Sequence, residues 1–320
     1  MTSPRFARES RWVVRHRMAL VTAGVILAYA AFLEWSIGWS VLGARFADIG
    51  FLPLAIALAA LTMTYVIRCW RIHDYFPNET RGQFARLLRV TLVHNLLNVM
   101  LPMRTGETSF PLLMRTEFGM PLARGTAALL VMRALDLHAL LAAAGVGLVM
   151  ERGWAAWAIV LWLLFVALPF LAFAAKEPVM RHLAGRVPAK LARLLDEVML
   201  GLPVNHPAFL RAFAATLINW GIKVVVLAWA LAVMGVFPVA AAFGGALGGE
   251  LSSVLPIHAP GGVGTYPAGI VAGAASFGAD VSTNAMVKLA AAAVNAHLLI
   301  LMSAFTGAGL SLFLSPNRKP

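Results

Sequence analysis

Two short segments of this chain carry side chains suited to holding an anion. The first reads Asn95-Leu-Leu-Asn98-Val-Met-Leu-Pro102-Met-Arg104-Thr-Gly106-Glu107-Thr-Ser109-Phe110-Pro111, and the second Gly249-Glu250-Leu-Ser-Ser-Val-Leu-Pro256-Ile-His258-Ala-Pro-Gly261-Gly262-Val-Gly264-Thr265-Tyr266-Pro267. Arginine suits phosphate because its planar guanidinium donates two parallel hydrogen bonds. Histidine ordinarily titrates near neutrality. Glu107 and His258 are therefore candidates for proton coupling, while Arg104 either holds a phosphate or pairs with Glu107. Pro102 and Pro256 each remove a backbone donor and help to end a helix. The glycines admit positive φ and let a ligand approach the backbone. Ser109 and Thr265 stand where they would cap a returning helix, with Pro111 and Pro267 tolerated in its first turn. Free N–H groups and the dipole at such helix starts attract anions.

Further charges lie inside apolar stretches, where each needs a partner or a wet cavity. Arg133 and Asp136, three residues apart, fit one helix face; they form either a self-neutralised pair that locks helices together or part of a substrate path. Lys223, Lys288 and Glu250 are read the same way, as an internal Lys–Glu pair or as groups that attract phosphate or couple a proton. His138 follows Asp136 closely, but no zinc spacing surrounds it. His94 and His297 read as packed or interfacial side chains.

The elements that must position these groups follow from composition. The 320 residues are 60% hydrophobic and only 12% charged, and a soluble domain is nearer about 25% charged. With a mean hydropathy of +0.80, the chain reads as an all-α polytopic membrane protein, which excludes a soluble enzyme. Spans, each needing about 20 apolar residues, are expected at Met18 to Val41, Gly50 to Ile67, Gly125 to Met150, Trp154 to Ala175, Ala212 to Val236 and Asn284 to Leu314. Val90 to Leu101 and Val239 to Leu255 are too short or too glycine-rich to span. Each is followed by a glycine-rich break and another short apolar run, so two re-entrant helical hairpins are expected, at residues 90–118 and 239–278.

The net charge of +12 is a topology signal and not a nucleic-acid footprint. With residues 1–17 as a basic cytoplasmic arm, 20 of the 26 Lys and Arg fall on the cytoplasmic side and only Arg45 and Arg152 outside, as the positive-inside rule requires. Both termini are then cytoplasmic, and the hairpins enter from opposite faces. Their shared order (Leu-Pro, a basic residue two positions on, glycine, hydroxyl, aromatic, proline) marks an inverted repeat, residues 50–150 and 207–314, within a single membrane domain, 1–320. The stretch Lys176 to Leu202 is expected to form an amphipathic helix lying on anionic lipid. The lone Cys69 excludes an internal disulfide. Neither a dinucleotide motif nor a hydrolase motif is present, so no cofactor or metal is expected.

The segment Asn98-x-x-Leu101-Pro102-x-Arg104-x-Gly106-Glu107 and the later Pro260-Gly261-Gly262-Val-Gly264 resemble the two signatures of the lysylphosphatidylglycerol synthase transmembrane-region family of flippase-like proteins. The resemblance implies a multi-pass protein of the bacterial inner membrane that moves a phospholipid or polyprenyl-phosphate lipid between leaflets. It adds Asn98, Gly106, Gly261, Gly262 and Gly264 to Arg104, Glu107, Ser109, His258 and Thr265 as expected headgroup contacts. The chain ends six residues after Leu314, so the soluble aminoacyl-transferase domain of the synthases is not expected. An ion- or proton-coupled small-solute transporter, an intramembrane enzyme acting on lipid phosphates and a scaffold for a separate synthase are the alternatives.

Overall fold

The computed structural model describes residues 27–35, 38–184, 186–255 and 259–314. These residues are helical, with no strand among them. The helices are α1 (described over 27–35), α2 (Trp39–Ile49), α3 (Phe51–Tyr75), α4 (Phe84–Met100), α5 (Ser109–Phe118), α6 (Leu122–Glu151), α7 (Ala156–Ala184), α8 (Ala189–Leu200), α9 (His206–Val233), α10 (Val239–Val254), α11 (Thr265–Ser276) and α12 (Thr283–Phe313). Five of them are long and apolar enough to cross a membrane: Phe51–Tyr75, Leu122–Met150, Ala156–Leu183, His206–Val233 and Thr283–Phe313. The basic arm 1–17 and the start of the expected first span lie outside the described residues. The end of that span is corrected, since Gly38, at φ 87°, precedes a new helix that takes in Val41.

The order long helix, short helix, break, short helix, long helix occurs twice, as α3 to α6 and as α9 to α12. The packing of the two sets is reciprocal. Their first helices, α3 and α9, lie against each other; α4 packs on α12, and α10 packs on α6. Local chemistry sets the breaks. Leu101 (φ −85°, ψ 141°) and Leu255 (φ −71°, ψ 152°) both leave the helix in extended geometry, the conformation imposed on a residue before proline. Pro111 and Pro267 each take the third position of the returning helix, where a missing N–H breaks no intrahelical bond.

The helix pairs α4–α5 and α10–α11 are joined differently. Between α4 and α5 the contact is bulky, with Leu87, Val90, Phe110 and Met114 buried together. Between α10 and α11 it is backbone on backbone. A Cβ on Gly248 would run into the Gly269 carbonyl, and one on Gly273 into the Gly244 carbonyl; small residues four apart allow this approach in membrane helices. Gly106 is confined in the same way by the backbone of Leu97 and Asn98.

Two other expectations are corrected. Residues 176–202 do not form one amphipathic helix: α7 runs on through Ala184, and α8 is separate. Gly201, just after α8, sits too close to the Arg124 carbonyl to bear a Cβ. Arg124 bridges Glu79 at 2.9 Å and Glu197 at 3.2 Å, so α8 is held to α6 by specific contacts. The second span does not end at Ile67. Its helix runs to Tyr75 with Arg68 and Arg71 buried, and both leave the cytoplasmic loop count.

Gly248→Ala and Gly273→Ala should each destabilise the protein by about 1–3 kcal/mol through overpacking. Gly221→Ala, in open space on α9, should be neutral or stabilising by up to about 1 kcal/mol. Thermal unfolding of the three purified variants checks this contrast.

Candidate functional site

The two breaks meet over one small cavity of about 50 Å³. Its wall includes Arg68, Asn95, Asn98, Arg104, Arg133, Trp220, Lys223, Glu250, Gly261, Gly262 and Tyr266, which come from both sets of helices. A cavity of this size holds a few waters or a small polar group.

The first break, Pro102–Thr108, carries Met103 at φ 49° and Arg104 at φ 55°. Two successive left-handed residues without a glycine are costly. The Arg104 head holds the turn in place: Nε donates to Glu107 Oε1 at 2.8 Å, Nη2 bonds the same oxygen, and Nη1 donates to the carbonyl of Ser253 on α10. The second break reaches the same backbone shape with Gly261 (φ 65°) and Gly262 (φ 72°). Its Gly261 carbonyl lies 2.8 Å from His297 Nε2, which ties the tip to α12.

Charges from four helices and the first break surround these tips. Asp136 of α6 is fully buried. It accepts from Arg71 at 2.7 Å, from Trp220 Nε1 at 3.0 Å and from Arg133 at 3.2 Å. Arg71 also donates to Thr216 Oγ1 at 2.6 Å. Arg133 reaches on to Glu107 Oε1 at 2.8 Å, so one carboxylate of the break serves two arginines. Glu250 of α10, also fully buried, takes Lys223 at 2.8 Å, the Tyr266 hydroxyl at 3.1 Å and Ser253 Oγ at 3.3 Å. The Lys223 ammonium lies 4.7 Å over the Trp220 ring, which joins the two clusters.

The expected residues divide clearly. Asn98, Arg104, Arg133, Lys223, Glu250, Gly261 and Gly262 line the cavity, and Glu107 and Asp136 sit directly behind it. Ser109 and Thr265 do not cap their helices. The Ser109 hydroxyl donates to the Gly106 carbonyl at 2.6 Å and contacts His94 Nδ1 at 2.9 Å, and Thr265 turns back to the Gly262 carbonyl at 3.3 Å. Each starts the helix proper, one position too late to be its cap. Gly264, at φ 73°, and Pro267 shape the turn into α11. Lys288 is exposed near the start of α12, apart from the buried charges, while the adjacent Leu289 enters the core. His258 and Pro256 lie outside the described residues.

Arg68, Arg71, Asn95 and Trp220 were not expected from the sequence. The hydropathy of α3 falls at Arg68, but its buried face continues through Leu61, Thr64, Arg68, Arg71 and Tyr75 at spacings of three and four. That periodicity, and not mean hydropathy, was the available signal.

Buried helical breaks lined by charge, on a scaffold of long apolar helices, define a multi-pass membrane protein with a polar internal site. The chain belongs to the family described as lysylphosphatidylglycerol synthase TM region, which it matches over residues 19–305. No curated protein and no solved structure matches it significantly. The family ties the chain to membrane-lipid biology.

Removing one partner of a buried ion pair costs about 3–5 kcal/mol, because the other charge is stranded. Asp136→Asn, which strands Arg71, should therefore unfold at markedly lower temperature. Replacing Arg71 and Asp136 together by Met and Leu should recover much of the loss, and a double-mutant cycle in detergent reads the difference.

Proposed function

We propose that this chain moves a phospholipid or lipid-linked phosphate between the leaflets of a bacterial inner membrane, with the headgroup passing between the two breaks. The observation that carries the reading is the cavity itself, enclosed by both breaks and rich in arginine and lysine. Irregular backbone at membrane depth is stable only when buried or when it lines a wet cavity, and transporters with broken helices bind at such places. In this reading α4 with α5 and α10 with α11 are re-entrant hairpins entering from opposite faces, and α3 to α6 and α9 to α12 are inverted repeats that rock around the site. The reciprocal packing of α4 on α12 and α10 on α6 supports that arrangement. Basic residues in the connecting segments favour cytoplasmic termini.

The chemistry of the site favours translocation over lipid modification. Its carboxylates are engaged by arginine, lysine or tyrosine, and no group of three metal-ligating side chains occurs among the described residues. In the proposed cycle the Arg104 and Arg133 guanidiniums meet the phosphate while Glu107, released from them, is free to take a proton. Acyl chains stay in the surrounding lipid.

Reconstituted in vesicles carrying a fluorescent phospholipid in one leaflet, the protein should accelerate exchange between leaflets. Arg104→Ala should slow it by about tenfold or more, the loss of one charge-assisted contact of about 1.5–3 kcal/mol. Glu107→Gln should also slow it. Wild-type rates from both variants, folded and at equal density, would remove the breaks from the transport path.

A further inference from the structure

The cations around the cavity outnumber the carboxylates. Arg68, Arg71, Arg104, Arg133 and Lys223 stand against Glu107, Asp136 and Glu250, which leaves two positive charges in excess in this cluster among the described residues. The excess is not spread evenly. Arg71 has Asp136 at 2.7 Å and Lys223 has Glu250 at 2.8 Å. Arg104 and Arg133 share one Glu107 oxygen, with Arg133 reaching Asp136 only at 3.2 Å. Arg68 has no carboxylate partner among the described residues. Its Nη1 donates to Asn95 Oδ1 at 3.1 Å, its Nε is buried without an acceptor, and the residue is only 8% exposed.

A guanidinium buried beside a cavity without a counter-ion is a built anion ligand. Asn98 lines the same cavity, and its buried amide oxygen has no partner. An amide flip exchanges that oxygen for an NH2 donor, so the position can serve an anion as well. Glu107 is the carboxylate best placed to leave. It lies in the break and its side chain is 22% exposed, whereas Asp136 and Glu250 are fully buried and held by several donors.

We propose that this cavity takes a terminal phosphate carrying two negative charges, with Arg68 as its principal ligand and Glu107 as the internal counter-ion it displaces from Arg104 and Arg133. The inference rests on reading the cavity as the headgroup site and narrows that headgroup to a phosphate monoester. A monoester carries about −1.5 to −2 at neutral pH, which matches the excess. A phosphodiester carries one charge, and a choline or ethanolamine ester none net.

The test titrates the detergent-purified full-length protein with dihexanoyl phosphatidic acid, dihexanoyl phosphatidylglycerol, dihexanoyl phosphatidylcholine and inorganic phosphate. Binding is read from the rise in unfolding temperature. The monoester should bind at least about tenfold more tightly than the diester, a difference of one charge-assisted contact, and the choline lipid should bind no better than detergent. Arg68→Ala should lose about tenfold or more for the monoester and erase the ranking, while Arg68→Lys, which keeps the charge without the fork, falls between. Glu107→Gln should bind the monoester several-fold more tightly than wild type, since a competing internal anion is gone.

Equal binding of the three lipids, an unchanged Arg68→Ala protein, or weaker binding by Glu107→Gln would each overturn the proposal. If Arg68→Ala does not fold, the ranking on wild type and the direction of the Glu107→Gln change decide it. A monoester lipid that outbinds inorganic phosphate identifies a lipid ligand. Equal affinities would keep the phosphate site but assign it to the free ion, against the lipid-transport reading. Selective monoester binding by a protein that moves no lipid in vesicles would likewise sustain the site while transport fails.

Discussion

Charge buried inside an apolar helical bundle governs the rest of this structure. Asp136 lies fully buried where α3, α6 and α9 meet, and it is stable there only because Arg71, Arg133 and Trp220 converge on it from three helices. Glu250 imposes the same condition on α9, α10 and α11 through Lys223 and Tyr266. Each carboxylate costs several kcal/mol to desolvate, and only well-formed partners return that energy. The helices are thereby held in one register, with Trp220 and Lys223 as the common link. The longest apolar surfaces need no such device: α7 faces outwards along most of its length and packs on α6 and α8.

The same condition explains why the breaks take different sequences to reach one backbone shape. In the second break, glycines supply the left-handed turn, and the glycine faces of α10 and α11 let the two arms approach to backbone contact. In the first, Met103 and Arg104 adopt that conformation against their intrinsic preference. The turn holds because the Arg104 guanidinium is fixed by Glu107 and the Ser253 carbonyl. A strained tip whose geometry depends on an ion pair is one that an incoming anion can rearrange. In the proposed function the Glu107 carboxylate therefore links the fold of the tip to the anion it would meet.

Much of this was legible in the sequence. Proline, glycine and the preceding leucine marked both breaks, because their backbone restrictions act locally. The Arg133–Asp136 contact was legible as an i, i+3 pair on one helix. Contacts between distant segments were not. Arg68 and Arg71 looked like loop cations because they follow the apolar run, and only their place on the inward face of α3 reveals them as core residues. Ser109 and Thr265 looked like caps, a reading that fails by a single residue at a helix start, where boundaries are least certain. Lys288 sits in an apolar stretch, but at the exposed first turns of α12.

In the proposed function a phosphate-bearing lipid occupies the space between the two breaks. Native mass spectrometry with lipid identification, on gently purified wild type beside Arg104→Ala, reads that occupancy. The expected result is one class of phosphate lipid retained by the wild type and lost from the variant. The same mixture of bulk lipids on both proteins would contradict a headgroup site at the breaks.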